Sequence, residues 1–189
     1  INTAGFLQSK SEQTGEQSSQ QVTNRLDVVT VTGSTITNGT YGEETGGPVV
    51  LGDADVTSGT NTKDLEQIQS INLSVKKAPG ANDINLDNVT IQFNGPDGVR
   101  TLTSSNVGDA ADDFNVTVIK DADDSNPVVN GPDDRLDLGI NMTFVNGADT
   151  NYLQEGETAT LTITTQSGAS TEVRVEVPQS LSGETAVEL

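Results

Sequence analysis

The run Asp121-Ala122-Asp123-Asp124-Ser125-Asn126 sets side-chain oxygens at alternate positions, as calcium loops do. Asp121, Asp123 and Ser125 are therefore candidate ligands for calcium or another hard cation, with Asp109, Asp112 and Asp113 nearby in sequence. The run lacks the glycine at the sixth position and the bidentate glutamate at the twelfth of an EF-hand, so a solvated acidic loop competes with that reading. Five Asn-x-Ser/Thr sequons, at Asn38, Asn72, Asn88, Asn115 and Asn141, are candidate acceptors for N-linked glycans. A chain this rich in Asn, Ser and Thr produces several sequons by chance. Their placement says more: in four of them the middle residue is Leu73, Val89, Val116 or Met142. On a strand an inward apolar residue leaves the flanking Asn and Ser/Thr facing out.

Other chemistry is limited by what the chain lacks. With no His and no Cys it has no Ser-His-Asp or Cys-His pair and no zinc, haem or iron–sulfur site of the usual kind. Carboxylate pairs abound, but none sits in an apolar stretch that would raise a pKa as a catalytic acid requires. Six aromatic residues and no Trp give no platform for stacking a sugar. The sequence does not read as an enzyme, and no cofactor is expected beyond that hard cation. Nine basic against 28 acidic residues give a net charge of −19, which excludes nucleic acid and anionic membranes as partners. Self-repulsion of this size opposes a compact state in dilute buffer and becomes short-ranged in molar salt, where the Debye length is about 3 Å. The composition fits a protein working in brine, with an ordinary acidic extracellular domain as the alternative.

These groups must be held by two kinds of element. Residues 8–25 are almost wholly polar, rich in Gln, Glu and Ser and free of Pro, which predicts a helix over about 5–26. Only Phe6, Leu7, Val22 and Leu26 interrupt it, and a helix this polar depends on packing against something else. From Val28 the period becomes two. Val29, Val31 and Ile36 begin it, and Val49-Val50-Leu51 with Val56 follow. Ile71, Leu73 and Val75 continue it, then Val89, Ile91 and Phe93, then Phe114, Val116 and Val118, then Leu136 to Phe144. The turn Asn94–Gly98 marks one hairpin. Gln166–Ala169 marks another, joining Ala159, Leu161 and Ile163 to Val173, Val175 and Val177. Strands with one apolar face pack in pairs of sheets. The expected fold is mainly β: an immunoglobulin-like antiparallel β-sandwich over 28–189, preceded by an N-terminal α-helical unit over 1–27.

The segment from Ile1 to Leu26 closely resembles the N-terminal helix of haloarchaeal archaellins, the flagellin-like subunits of the archaeal motility filament. Ala4-Gly5-Phe6-Leu7-Gln8, the polar stretch Thr14–Gln21 and Val22-Thr23-Asn24-Arg25-Leu26 carry the likeness. In that family a strongly hydrophobic stretch precedes this point, so the chain resembles part of a longer subunit. The resemblance implies a homo-polymeric extracellular filament, with other archaellin paralogues as further partners. Ile1, Phe6, Leu7, Val22 and Leu26 would belong to its inner helical assembly, and a glycosylated β-sandwich would form its surface. The alternative is a secreted or cell-wall immunoglobulin-like adhesion module that binds a partner or glycan.

Overall fold

Between Gln21 and Thr32 the residue types change from Gln, Glu and Ser to the β-branched run Val28-Val29-Thr30-Val31-Thr32, and the backbone changes with them. The computed structural model describes residues 3–36, 67–96, 98–107, 113–142, 153–181 and 184–189. Helix α1 (Thr3–Thr23) hands over to β1 (Leu26–Ile36) through Asn24 and Arg25 alone. There follow β2 (Gln67–Lys77), β3 (Ile84–Asn85), a 3-10 turn (Leu86–Asn88), β4 (Thr90–Gly95), β5 (Gly98–Ser104) and β6 (Asp113–Lys120). Then come β7 (Val128–Val129), β8 (Arg135–Asn141), β9 (Leu153–Gln154), β10 (Thr158–Thr164), β11 (Ser170–Glu176) and β12 (Ala186–Glu188).

The strands form one long sheet in the order β11-β10-β4-β5-β6-β8-β2-β1-β12, with β9 paired to β2. β3 and β7 make a separate short ladder. Every ladder of the long sheet is antiparallel except β5–β6, where Thr103 lies beside Asp113 and Ser104 beside Phe114 in parallel. At that short joint the sheet curls over, and its two halves meet face to face. Ile71, Leu73 and Val75 of β2 and Leu136, Leu138 and Ile140 of β8 supply one layer; Ile91 and Phe93 of β4 and Leu161 and Ile163 of β10 supply the other. All belong to a single buried cluster, so alternation of apolar and polar residues sets both layers. The curl closes where the Thr171 hydroxyl of β11 donates to the Leu26 carbonyl of β1 at 2.6 Å.

Both hairpins read from the sequence form. Gly95 pairs with Gly98 at the end of β4–β5, and Leu161 pairs with Val173 in β10–β11. Three expectations about these elements need correction. Val118, expected inward with Phe114 and Val116, is 44% exposed where the β6–β8 register shifts between Val118 and Lys120. Leu26, assigned to the helix, is the first residue of β1 and is 1% exposed in the core. Val29, expected to start the inward alternation, sits where the β1–β2 register shifts between Val28 and Thr30. The extra residue of a bulge is left unpaired and re-aimed, so Val29 is 47% exposed while Val28 and Val31 face the core. The expected strands at Val49–Leu51 and Val56, and Phe144, lie outside the described residues.

Candidate assembly interface and surface sites

The root of α1 is fixed by hydrogen bonds that reach it from two loops of the β domain. The last carbonyls of a helix have no intrahelical donor and must find one elsewhere. The Asn24 carbonyl accepts from the Thr165 hydroxyl at 2.8 Å and from the Ser167 hydroxyl at 3.4 Å, both in the β10–β11 turn. Asn24 Oδ1 accepts from the backbone N–H of Asn82 at 3.0 Å, and the Arg25 carbonyl accepts from that of Ala78 at 3.0 Å. Thr165 is 5% exposed. Helix and domain are thus joined by a half-buried knuckle of hydrogen bonds at Asn24 and Arg25.

Beyond the knuckle the described side chains of α1 face solvent. The side chains of Lys10, Glu12 to Glu16 and Ser18 to Gln21 are all exposed. The Thr14 and Thr23 hydroxyls bond back to the carbonyls of Lys10 and Ser19. No helix of the described residues is long and apolar enough to cross a membrane. Of the candidate assembly residues, Ile1 and the side chains of Phe6, Leu7 and Val22 lie outside the described residues, and Leu26 belongs to the β core.

Three sequon asparagines share one outer face. Asn72 of β2 and Asn115 of β6 lie on either side of Gly139 of β8, each in register with it. A Cβ at Gly139 would stand 3.3 Å from Asn72 Oδ1 and 4.0 Å from the Asn115 carbonyl oxygen, so the glycine keeps this row clear. Asn141 follows two residues along β8, opposite Ser70. The middle residues Leu73 and Met142 are buried and Val116 is partly buried, as the alternation requires. In the next row Asp137 lies between Ser74 and Thr117, the hydroxyl residues of two sequons. Burial pushes the Asp137 carboxyl above its ordinary value. Asn88 ends the 3-10 turn rather than lying on a strand; it is exposed and donates to Gln166 Oε1 at 3.3 Å. Asn38 lies outside the described residues.

The acidic loop after β6 folds back on itself. Asp121 Oδ2 accepts from the backbone N–H of Asn126 at 2.9 Å, and Oδ1 accepts from Asp123 N–H at 3.3 Å and the Ser125 hydroxyl at 3.4 Å. Desolvation pushes the Asp121 carboxyl up, but hydrogen bonds from the backbone of Asn126 and Ser125 and from Asp123 outweigh it and hold the pKa below its ordinary value. Carboxylate oxygens of Asp121, Asp123 and Asp134 lie within 4.8 Å of one another. The spacing of Asp121, Asp123 and Ser125 did not reveal Asp134, which is 4% exposed and accepts from the N–H groups of Asn130 at 3.1 Å and Gly131 at 2.6 Å. No residue spacing marks it; the folded loop brings it there, and Gly131 makes room for it, since an added Cβ at Gly131 would fall 2.7 Å from Asp134 Oδ1. Ser125 directs its hydroxyl to the Val128 carbonyl at 2.7 Å. The cluster's donors are all oxygen, the kind a hard cation takes. Asp109 and Asp112, and the Asp113 side chain, lie outside the described residues.

Comparison with known proteins bears on the whole chain. The sequence profile described as archaeal-type flagellin matches residues 1–181. Flagellin B2 of Halobacterium salinarum is 35% identical over 189 residues, 100% of this chain and 82% of that protein. Flagellin A1 of Haloferax volcanii is 34% identical over 194 residues, covering 97% of this chain and 80% of that protein. Among solved structures, the archaeal flagellum of Methanospirillum hungatei is similar with a TM-score of 0.62 at 20% identity, covering 100% of this chain and 85% of that one. A crystal structure of an archaeal flagellin from Methanocaldococcus jannaschii gives 0.60 at 18% identity, covering 87% and 95%. The two structures share the fold described above.

Proposed function

The chain belongs to the archaeal-type flagellin family and is a structural subunit of the motility filament, not an enzyme; from that premise we propose that it polymerises through α1 while the β domain forms the outer wall. The observation that carries this reading is a 21-residue helix whose described side chains from Lys10 to Gln21 are exposed and whose root is hydrogen-bonded to the β domain. An isolated helix of this length and polarity is marginal in water, so its order is best supplied by helices of neighbouring copies. Copies joined head to tail without closure give a helical filament, and the knuckle at Asn24 passes torque from the inner helix to the wall. The adhesion-module alternative is not favoured, because the family likeness runs through both helix and β domain.

Three finer assignments belong to the same reading. The filament stands outside the cell and takes in flagellin paralogues as well as identical copies. Asn38, Asn72, Asn88, Asn115 and Asn141 are its acceptors for N-linked glycans, Asn72, Asn115 and Asn141 forming one cluster. Asp121, Asp123 and Asp134 hold a hard cation such as calcium. Removing residues 3–23 tests the central part: circular dichroism in molar salt should keep its β signal while sedimentation shows a monomer. Loss of the β signal, or polymerisation without the helix, would contradict it.

A further inference from the structure

Along the seam where the curled sheet closes, β1 and β11 leave a groove of about 830 Å³ between them. β11 ends the sheet order, and β12 pairs with β1 only at Thr32–Ser34, so among the described residues no strand pairs with this side of Asp27–Thr30 or with the outer side of β11. Unpaired strand edges are adhesive and are normally covered or charged. The bulged residue Val29 lines the groove, and Arg25, at the root of α1, lines it too. The groove therefore runs directly into the assembly element.

Charge sets this groove apart. Arg25, Lys76 and Arg174 line it, three of only nine basic residues in the chain. With Asp27, Glu172 and Glu188 they make its lining neutral, so the excess of 19 negative charges lies on the rest of the molecule. Two copies that each carry −19 repel almost everywhere they touch. The groove is a surface where a second copy can approach without that penalty, with cations to meet its acidic side chains. A groove is concave, so it cannot fill itself across a two-fold axis; it needs a different, convex face of the neighbour. Such a contact is heterologous, and heterologous contacts that do not close propagate.

We infer that the groove between β1 and β11 is a docking site for an acidic convex face of a second copy of this chain, a wall contact made in addition to the helix contact. The inference rests on the filament reading, and the test separates the two. The chain has no cysteine, so Val29→Cys gives a single thiol in the groove. In filaments assembled from the full-length subunit, maleimide should label Cys at this position at least about tenfold more slowly than in dissociated subunits, because only local opening exposes it. Arg174→Glu should raise the salt concentration needed to keep filaments intact, and by more than the same charge change made by Lys120→Glu. Equal labelling rates in filaments and subunits would overturn the inference, as would a thiol protected in both, which would mean that the chain covers its own groove. So would equal salt shifts for the two charge reversals. If the unaltered subunit forms no filament at all, the filament reading itself fails.

Discussion

The Thr165 hydroxyl donates to the Asn24 carbonyl at 2.8 Å, tying the end of α1 to a turn 141 residues further along the chain. This bond makes the helix root part of the β domain's own hydrogen-bond network. Thr165→Val keeps the shape and removes the donor, leaving the Asn24 carbonyl dependent on the longer Ser167 contact. The expected cost is about 1 kcal/mol in urea unfolding, typical of a neutral hydrogen bond. Hydrogen exchange at the last turn of α1 should speed up more than at β2 or β8.

Asp134 organises the acidic loop whether or not a cation is present. Asp134→Ala removes the acceptor for the Asn130 and Gly131 N–H groups in a buried position. Bonds to charged groups contribute about 1.5–3 kcal/mol, so stability should fall by roughly that amount. If the cluster holds calcium, millimolar calcium in constant molar NaCl raises the melting temperature of the parent chain and not that of Asp123→Asn. An identical response from both chains would remove the cation from the account.

The Asp137 carboxyl has its folded-state pKa raised by burial. The folded state therefore holds this proton more tightly than the unfolded state does. Ionised Asp137 opposes folding at neutral pH, and the opposition disappears as pH falls through the folded and then the unfolded value. Asp137→Asn should stabilise the domain near pH 7, with the gain shrinking to nothing below the ordinary carboxyl pKa of 3.8. Melting curves at pH 7 and at about pH 3 check the sign.

Salt should act on the whole chain. At about 0.1 M the Debye length reaches about 10 Å and the net charge of −19 is felt across the surface. Lowering NaCl from molar to below that point should depress the melting temperature and dissociate assembled subunits. A melting temperature constant over this range would contradict the electrostatic argument.

What the sequence made legible follows from how local each signal is. The β4–β5 and β10–β11 hairpins came from alternation plus a turn, and both partners lie within a few residues of that turn. Leu73 and Met142 point inward because a period of two fixes direction once the strand is known. Leu26 was misread because helix and strand abut with two residues between, and a lone leucine fits either period. Val29 was misread because a bulge breaks the period without leaving a mark in residue type. Asp134 was missed because its partners are backbone N–H groups, and only the fold of the loop brings it to Asp121. The three cations of the seam come from the helix root, β2 and β11, three places that no spacing rule connects.

The measurement that bears most directly on the account is electron cryomicroscopy of filaments assembled from the full-length subunit. α1 should lie at the inner radius, packed along its length against α1 of other copies, with the curled sheet outside and Asn24 at the boundary. Filaments in which α1 lies on the outer surface, or folds back along its own β2 and β8, would contradict it.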